Sequence, residues 1–110
     1  MPPGSEDRAR AFYVEALGFE EEPKAPEFAD RGGVWLRSGA VKLHVGSDPA
    51  FVATNKPHAA LCCTDFEALL ARLEARGIAV ARDPTPYEGR AHAYVRDPFG
   101  NRLELLDRPA

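Results

Sequence analysis

Apolar residues recur at helical spacing in two stretches of the chain, which predicts two amphipathic helices. Ser5 is placed to cap the first helix and Gly18 to end it. Thr64 and Glu67 have the spacing of a capping box at the start of the second helix, which Gly77 ends. The apolar helix faces consist of Ala9, Phe12, Tyr13, Ala16 and Leu17, and of Phe66, Leu69, Leu70 and Leu73.

The segments that follow each helix predict three short strands, in the same order in both halves of the chain. They are residues 19–22, 34–37 and 43–45 in the first half, and residues 78–81, 93–96 and 103–105 in the second. The offset between the halves is 59 positions for the first two strands and 60 for the third, because the turn at 97–101 is one residue longer. The chain is therefore predicted to be a duplicated unit.

A further strand is predicted at residues 58–63, and its counterpart in the first half would begin before Met1. Because a missing strand exposes a sheet edge, we expect the natural start to lie upstream of Met1. The alternative is that the first module evolved without this strand. The predicted organisation is a first module at 1–46 (αβββ), a linker at 47–57 and a second module at 58–110 (βαβββ), in one compact α+β domain.

Strand alternation places polar and aromatic side chains on the sheet face opposite the helices. His44 and Glu104 occupy equivalent positions of the repeat, and His58 opens its own strand. The residues predicted to line a substrate pocket on this face are Trp35, Arg37, His92, Tyr94 and Arg96. A face of this kind is more typical of a pocket than of a solvated surface.

Imidazole and carboxylate groups suit Zn, Ni, Fe, Co or Mn, and two histidines with one carboxylate leave coordination positions open for substrate. We therefore predict a metal site formed by His44, His58 and Glu104. The alternative for each residue is an ordinary strand position, as a surface or hydrogen-bonded histidine or an exposed carboxylate. Nothing in the repeat pairs His92 with these residues, so it is predicted only to line the pocket.

Composition and charge exclude several classes of protein. The 110 residues carry a formal net charge of −3 without a basic tract, which argues against nucleic-acid binding. No apolar run approaches the roughly 20 residues of a membrane span, and the first residues lack a signal-peptide core, so a cytoplasmic protein is expected. Cys62 and Cys63 are adjacent and would point to opposite faces of a strand, so we expect two buried, reduced thiols.

Three stretches carry a family resemblance: residues 10–19, which end in Leu-Gly-Phe, residues 58–65, and residues 96–105, which contain Asp-Pro-Phe-Gly-Asn. They resemble the vicinal oxygen chelate superfamily, which includes glyoxalase I, extradiol dioxygenases and the fosfomycin- and bleomycin-resistance proteins. The resemblance implies paired βαβββ modules whose curled mixed sheets form a cup around a divalent metal. It places His58 and Glu104 at two ligand positions, and His44 where glyoxalase-like members commonly have Glu. The fourth ligand, a His on the first strand of the first module, has no residue here.

The resemblance also implies a mechanism, in which a metal chelates vicinal substrate oxygens as a Lewis acid. In a glyoxalase-like lyase reaction, Glu104 would be the catalytic group that moves the proton. Arg37, Arg90 and Arg96 are candidates to hold an anionic substrate group, although a solvated or structural role is the more common one for any single arginine. Trp35 and Tyr94 would either stack on a ring or fill the cup.

Three functions remain open at this stage. The first is a metal-dependent lyase or dioxygenase, the second a metal-free small-molecule binding protein like the bleomycin-resistance branch, and the third a catalytically silent relative. Two-module members often dimerise, so a homodimer is expected, with the cup formed within one chain or shared between two chains.

Overall fold

The computed structural model describes residues 1–108, which form an α+β fold of two compact units, Met1–Val52 and a second unit that begins at Ala53. Helix α1 spans Glu6–Arg10 and continues as a π-helix over Ala11–Ala16, and helix α2 spans Phe66–Ala75. The strands are β1 (Glu20–Glu22), β2 (Gly33–Ser38), β3 (Val41–Gly46), β4 (His58–Cys63), β5 (Ala81–Tyr87), β6 (Arg90–Arg96) and β7 (Arg102–Asp107), and a 3₁₀ turn spans Pro26–Phe28. Within residues 1–108, no helix has both the length and the hydrophobicity needed to cross a membrane.

The first unit is an antiparallel sheet of order β1-β2-β3 with the predicted first helix beside it. Ser5 stands at the N-cap as predicted, but its side chain makes no capping hydrogen bond. Gly33 is required where β2 meets β3, because it has a φ of +103° and a Cβ there would lie 2.5 Å from the carbonyl oxygen of Val45. The predicted strand–strand–strand order of the first half is therefore present.

The second unit is a mixed sheet of order β4-β7-β6-β5, in which β4 runs parallel to β7 and the other pairs are antiparallel. The two central strands, β6 and β7, carry buried apolar residues on one sheet face, which are buried together with one side of α2. These buried residues are Ala93, Val95, Leu103 and Leu105 on the strands, and Phe66, Leu70 and Leu73 on the helix. The opposite face is left for the polar side chains.

Two predictions at the ends of α2 are wrong. Helix α2 begins at Phe66 with Asp65 at the N-cap, so Thr64 and Glu67 form no capping box. The carboxylate of Glu67 instead accepts two hydrogen bonds from Arg82, at 3.0 and 2.6 Å.

The strand predicted at 78–81 is also misplaced, since β5 begins only at Ala81. The reason lies in how α2 ends. Gly77 has a φ of +78°, its N–H bonds the carbonyl of Glu74, and the N–H of Ile78 bonds the carbonyl of Leu73 at 3.0 Å. These bonds form a Schellman motif, which holds Ile78 against the end of the helix and delays the strand.

Both cysteines are free thiols, as expected, but the expectation that they are buried is wrong for Cys62, which is exposed, whereas Cys63 is half-buried. Both lie on β4, an edge strand of the second sheet, whose residues include several exposed positions.

Candidate functional site

The polar face of the second sheet brings three side chains from three strands together. In the parallel pairing of β4 with β7, Ala60 lies opposite Glu104, which puts His58 at the neighbouring position on the same face. In the antiparallel pairing of β6 with β7, Tyr94 lies opposite Glu104, and His92 is two residues away on the same face. The strand register alone therefore directs both histidines toward one carboxylate.

Both oxygens of Glu104 are in contact with a histidine. The Nε2 atom of His58 lies 2.9 Å from Glu104 Oε1, and the Nδ1 atom of His92 lies 3.0 Å from Glu104 Oε2. The side chains of His92 and Glu104 are only 7% and 11% exposed, whereas that of His58 is 27% exposed. The cluster is therefore closed on the His92 side and accessible on the His58 side.

The remaining ring nitrogens are bound to main-chain carbonyl groups. Nδ1 of His58 lies 2.7 Å from the carbonyl oxygen of Lys56, and Nε2 of His92 lies 2.7 Å from that of Thr85. A carbonyl oxygen can only accept, so both of these nitrogens donate an N–H. A neutral imidazole has no second N–H, so each contact with Glu104 needs one further proton or a cation between nitrogen and oxygen.

On the His92 side, a proton fits this requirement. The hydrogen bond to the Thr85 carbonyl raises the pKa of His92 above its ordinary value, and Glu104 and Asp83 act in the same direction while burial opposes them. The carboxylate of Asp83 lies 3.7 Å from Nε2 of the same ring. A doubly protonated His92 donates to both Thr85 and Glu104 and leaves no polar atom of the ring without a partner.

On the His58 side, the donor set suits a divalent cation. Two ligand atoms bound to one ion by bonds of about 2.0–2.2 Å are separated by about 2.8–3.1 Å at the right angles of an octahedral site, and by about 3.3–3.6 Å at the tetrahedral angle common for zinc. The 2.9 Å between His58 Nε2 and Glu104 Oε1 fits the octahedral separation, and it is equally an ordinary hydrogen-bond length. The Lys56 carbonyl fixes the ring as metal-bound histidines are fixed by their second nitrogen. Within residues 1–108, however, no group of three or more His, Cys, Asp or Glu side chains is arranged to hold a metal ion.

An aromatic ring and an arginine complete this side of the sheet. The ring of Tyr94 meets the rings of His58 and His92 edge-on, each at 5.7 Å between centroids. The guanidinium carbon of Arg102 lies 3.9 Å from the centroid of the Tyr94 ring. Arg102 was not among the predicted site residues, although its position two residues before Glu104 on a strand puts both on one face.

The other predicted arginines of the second unit lie at two ends of β6. Arg96 donates to the carbonyl of Gly100 at 2.8 Å. Arg90 instead contacts Cys62 Sγ at 3.6 Å and the Asp107 carbonyl at 3.4 Å.

The first unit contains the remaining predicted residues. His44 is exposed and its ring stacks on that of Trp35, with 4.1 Å between centroids and 5° between the planes. Phe28 packs against the same tryptophan at 5.6 Å. Arg37 is exposed at the end of β2, opposite Lys42.

The structure thus brings together His58 and Glu104, as the sequence predicts, and adds His92 to them. The expectation that His92 has no partner in the cluster is wrong, because it binds the second oxygen of Glu104 directly.

Comparison with known proteins gives a consistent result. A family model described as the glyoxalase/bleomycin resistance protein/dioxygenase superfamily matches residues 3–105. No curated protein gives a significant match. Among solved structures, a glyoxalase family protein from Bacillus anthracis is 36% identical, with a TM-score of 0.93 over 99% of this chain and 88% of the other.

Two further solved structures are similar at lower identity. The antibiotic binding protein TnmS3 from Streptomyces sp. CB03234 is 26% identical, with a TM-score of 0.75 over 99% of this chain and 91% of the other. A lactoylglutathione lyase from Agrobacterium tumefaciens is 24% identical, with a TM-score of 0.72 over 97% and 88% of the two chains, and at that identity it supports the fold alone.

Proposed function

The chain belongs to the glyoxalase/bleomycin resistance protein/dioxygenase superfamily, and we propose that it is a metal-dependent enzyme that acts on a small molecule with adjacent oxygen atoms. His58 and Glu104 are the proposed ligands of a divalent ion. The observation that carries this proposal is the contact of His58 Nε2 with Glu104 Oε1 at 2.9 Å, because the Nδ1 atom of the same ring already donates its N–H to the Lys56 carbonyl. Two lone pairs at this distance repel unless a cation or a proton lies between them.

His44 is the proposed third ligand. Its support is the repeat, in which it occupies the position equivalent to Glu104, together with its exposed imidazole on β3. Imidazole nitrogen and carboxylate oxygen ligands suit Zn, Ni, Fe, Co or Mn. A homodimer, which two-module members of the superfamily often form, and a cytoplasmic location are further proposals.

In the proposed reaction, the residues of this chain orient the substrate and move one proton. Glu104 is held at Oε2 by His92, which fixes the carboxylate plane and leaves Oε1 on the accessible side of the cluster. From there Glu104 is placed to take a proton from a carbon next to a substrate carbonyl group. A bound divalent ion would supply Lewis-acid polarisation of the neighbouring substrate oxygens. Tyr94 offers an aromatic wall beside both histidines.

Metal loading tests this proposal. The purified chain is incubated with each of the candidate divalent ions, freed of unbound ion, and analysed for metal by elemental analysis. We expect one ion per chain in the wild type, and at least about tenfold weaker binding in His58→Ala and Glu104→Gln. Glu67→Gln is the matched control, because it removes an exposed carboxylate that is paired with Arg82. A wild type that retains none of these ions contradicts the proposal.

The second candidate function is metal-free binding of a small molecule. It is favoured by the hydrogen-bonded cluster itself, since a proton in place of the cation would satisfy the contact between His58 and Glu104 without any metal. This candidate predicts ligand binding that is unchanged by a chelator, whereas the enzyme requires a metal for turnover.

A further inference from the structure

We infer that Arg96, Arg102 and Asn55 form a binding subsite for the oxyanion of a small-molecule ligand, beside the contact of His58 with Glu104. The oxyanion is a carboxylate, phosphate or phosphonate group. That the ligand is the substrate of the neighbouring cluster rests on the proposed function, whereas the anion site itself stands on the residues described below.

The sheet register places the two arginines side by side. Arg96 on β6 lies directly opposite Arg102 on β7, so both side chains leave the same face of the sheet. Like charges at directly opposite positions of an antiparallel pair destabilise a sheet. Arg102 also lies opposite His58 in the pairing of β7 with β4, and neighbouring strands are about 4.8 Å apart. The subsite is therefore adjacent to the cluster that contains Glu104.

Neither guanidinium is paired with a carboxylate in the part of the chain that the structure describes. Within residues 1–108, no carboxylate lies within 4 Å of Arg96 or Arg102, although Arg10, Arg82 and Arg90 each have an acidic partner. Glu104 lies on the same face two residues from Arg102, but it contacts the two histidines, so the adjacent arginines leave a local positive charge in a chain whose net charge is −3. A bound oxyanion would remove this repulsion.

Asn55 contacts the guanidinium groups of both Arg96 and Arg102. Nη2 of Arg96 donates to the side-chain oxygen of Asn55, and Nη1 of Arg102 donates to its carbonyl oxygen, both at 3.3 Å. Both bonds are long, so they position the groups weakly. Each guanidinium has five N–H donors, and most of those on Arg96 and Arg102 remain available for an oxyanion. The side chain of Asn55 also carries an amide NH₂ group, which is a neutral donor.

The orientation of Arg102 is fixed independently of Asn55. Its guanidinium lies over the ring of Tyr94 at 3.9 Å, and cation–π contacts of this kind hold the plane of the group. Tyr94 in turn packs edge-on against His58. A ligand that binds Arg102 therefore lies next to His58 of the cluster. Because Arg96 is exposed, the subsite is open to solvent.

The probe for the experiment is inorganic phosphate, titrated into the full chain by calorimetry in the presence of a chelator. The chelator removes any contribution from a bound metal, so the outcome is independent of the metal-loading experiment. We expect saturable binding at millimolar phosphate, weakened at least about fivefold in Arg96→Met and in Arg102→Met. Arg102→Lys keeps the charge but loses the planar fork, so its affinity should lie between those of the wild type and Arg102→Met.

Arg82→Met is the matched control, since it removes one exposed positive charge from the opposite face of the same sheet, where Arg82 pairs with Ala93. Unchanged phosphate affinity in this variant supports a local site. The inference is overturned if phosphate binding is absent in the wild type, or if Arg82→Met weakens it as much as the two site variants do. Near-native circular dichroism of each variant is required before its affinity is compared.

Discussion

Removal of the Asp97 carboxylate should destabilise the turn between β6 and β7. Asp97 is only 5% exposed, and three N–H groups converge on its side chain. Oδ1 accepts from the main-chain N–H of Phe99 at 2.9 Å and of Asn101 at 2.8 Å, and Oδ2 accepts from the side-chain amide of Asn101 at 2.7 Å. Arg96 and Arg102 flank this turn directly, so the turn also sets the spacing of the proposed anion subsite.

The loss in the free energy of unfolding can be estimated from the hydrogen-bond donors that each substitution leaves without an acceptor. Hydrogen bonds to charged groups contribute about 1.5–3 kcal/mol each, and a buried donor left unpaired costs about 1–3 kcal/mol. Asp97→Ala affects all three donors, but they are partly buried and water reaches them in part, so we expect a loss of about 3–4 kcal/mol in the free energy of unfolding. For a domain of this size, that corresponds to a fall in Tm of roughly 12–30 °C.

The variant Asp97→Asn distinguishes the contributions of the three hydrogen bonds, because it affects only one of them. The retained side-chain oxygen can still accept from both main-chain N–H groups, but the new amide then faces the amide of Asn101, donor against donor. We expect a loss of about 2 kcal/mol. The double variant Asp97→Asn with Asn101→Asp restores one donor and one acceptor, so it should recover at least about 1 kcal/mol of this loss.

Urea denaturation followed by circular dichroism measures all three variants. The reasoning is refuted if Asp97→Ala costs less than about 1 kcal/mol, or if the double variant is no more stable than Asp97→Asn. In the folded variants, phosphate affinity should fall in the same order as stability, because the same turn holds both arginines at their spacing.

Three other predictions concern local features of the two units. Gly33→Ala should lower the free energy of unfolding by at least about 3 kcal/mol in urea, because a Cβ at this positive φ would clash with the Val45 carbonyl, and a loss below about 1 kcal/mol would contradict the close approach. A thiol reagent at neutral pH should label only Cys62 in the native chain and both cysteines in denaturant, since burial raises the pKa of Cys63 to about 11, and rapid labelling of both native thiols would rule this out. The Gly33 N–H lowers the pKa of Glu6, so this carboxylate stabilises the fold above its ordinary pKa and the contribution is lost as pH falls through the lowered value. Glu6→Gln should therefore flatten the acid limb of a stability profile below about pH 5 and cost about 0.5–1 kcal/mol near pH 7, and an unchanged acid limb would count against it.

The strand order and the contact of His58 with Glu104 could be predicted because both follow from periodicity. Alternation assigns side chains to faces, and the repeat aligns the strands that carry them. The ends of α2 could not be predicted in the same way. At its start, Arg82 on β5 binds Glu67 and so removes the partner that a capping box with Thr64 would need. At its end, the capping bond of Ile78 competes with strand pairing, and both choices suit an apolar residue.

The role of His92 depends on a segment that lacks any periodic signal. Residues 83–87 of β5 read Asp-Pro-Thr-Pro-Tyr, and the two prolines cannot donate to a sheet, so the pairing with β6 is interrupted between Asp83 and Tyr87. Inside this irregular stretch, the side chain of Asp83 accepts a hydrogen bond from the main-chain N–H of Thr85 at 2.9 Å. The carbonyl of Thr85 accepts a hydrogen bond from Nε2 of His92. The irregular segment therefore fixes the ring of His92 in the orientation in which its Nδ1 meets Glu104, so the proline-rich edge strand sets the geometry of the carboxylate on which the proposed chemistry depends.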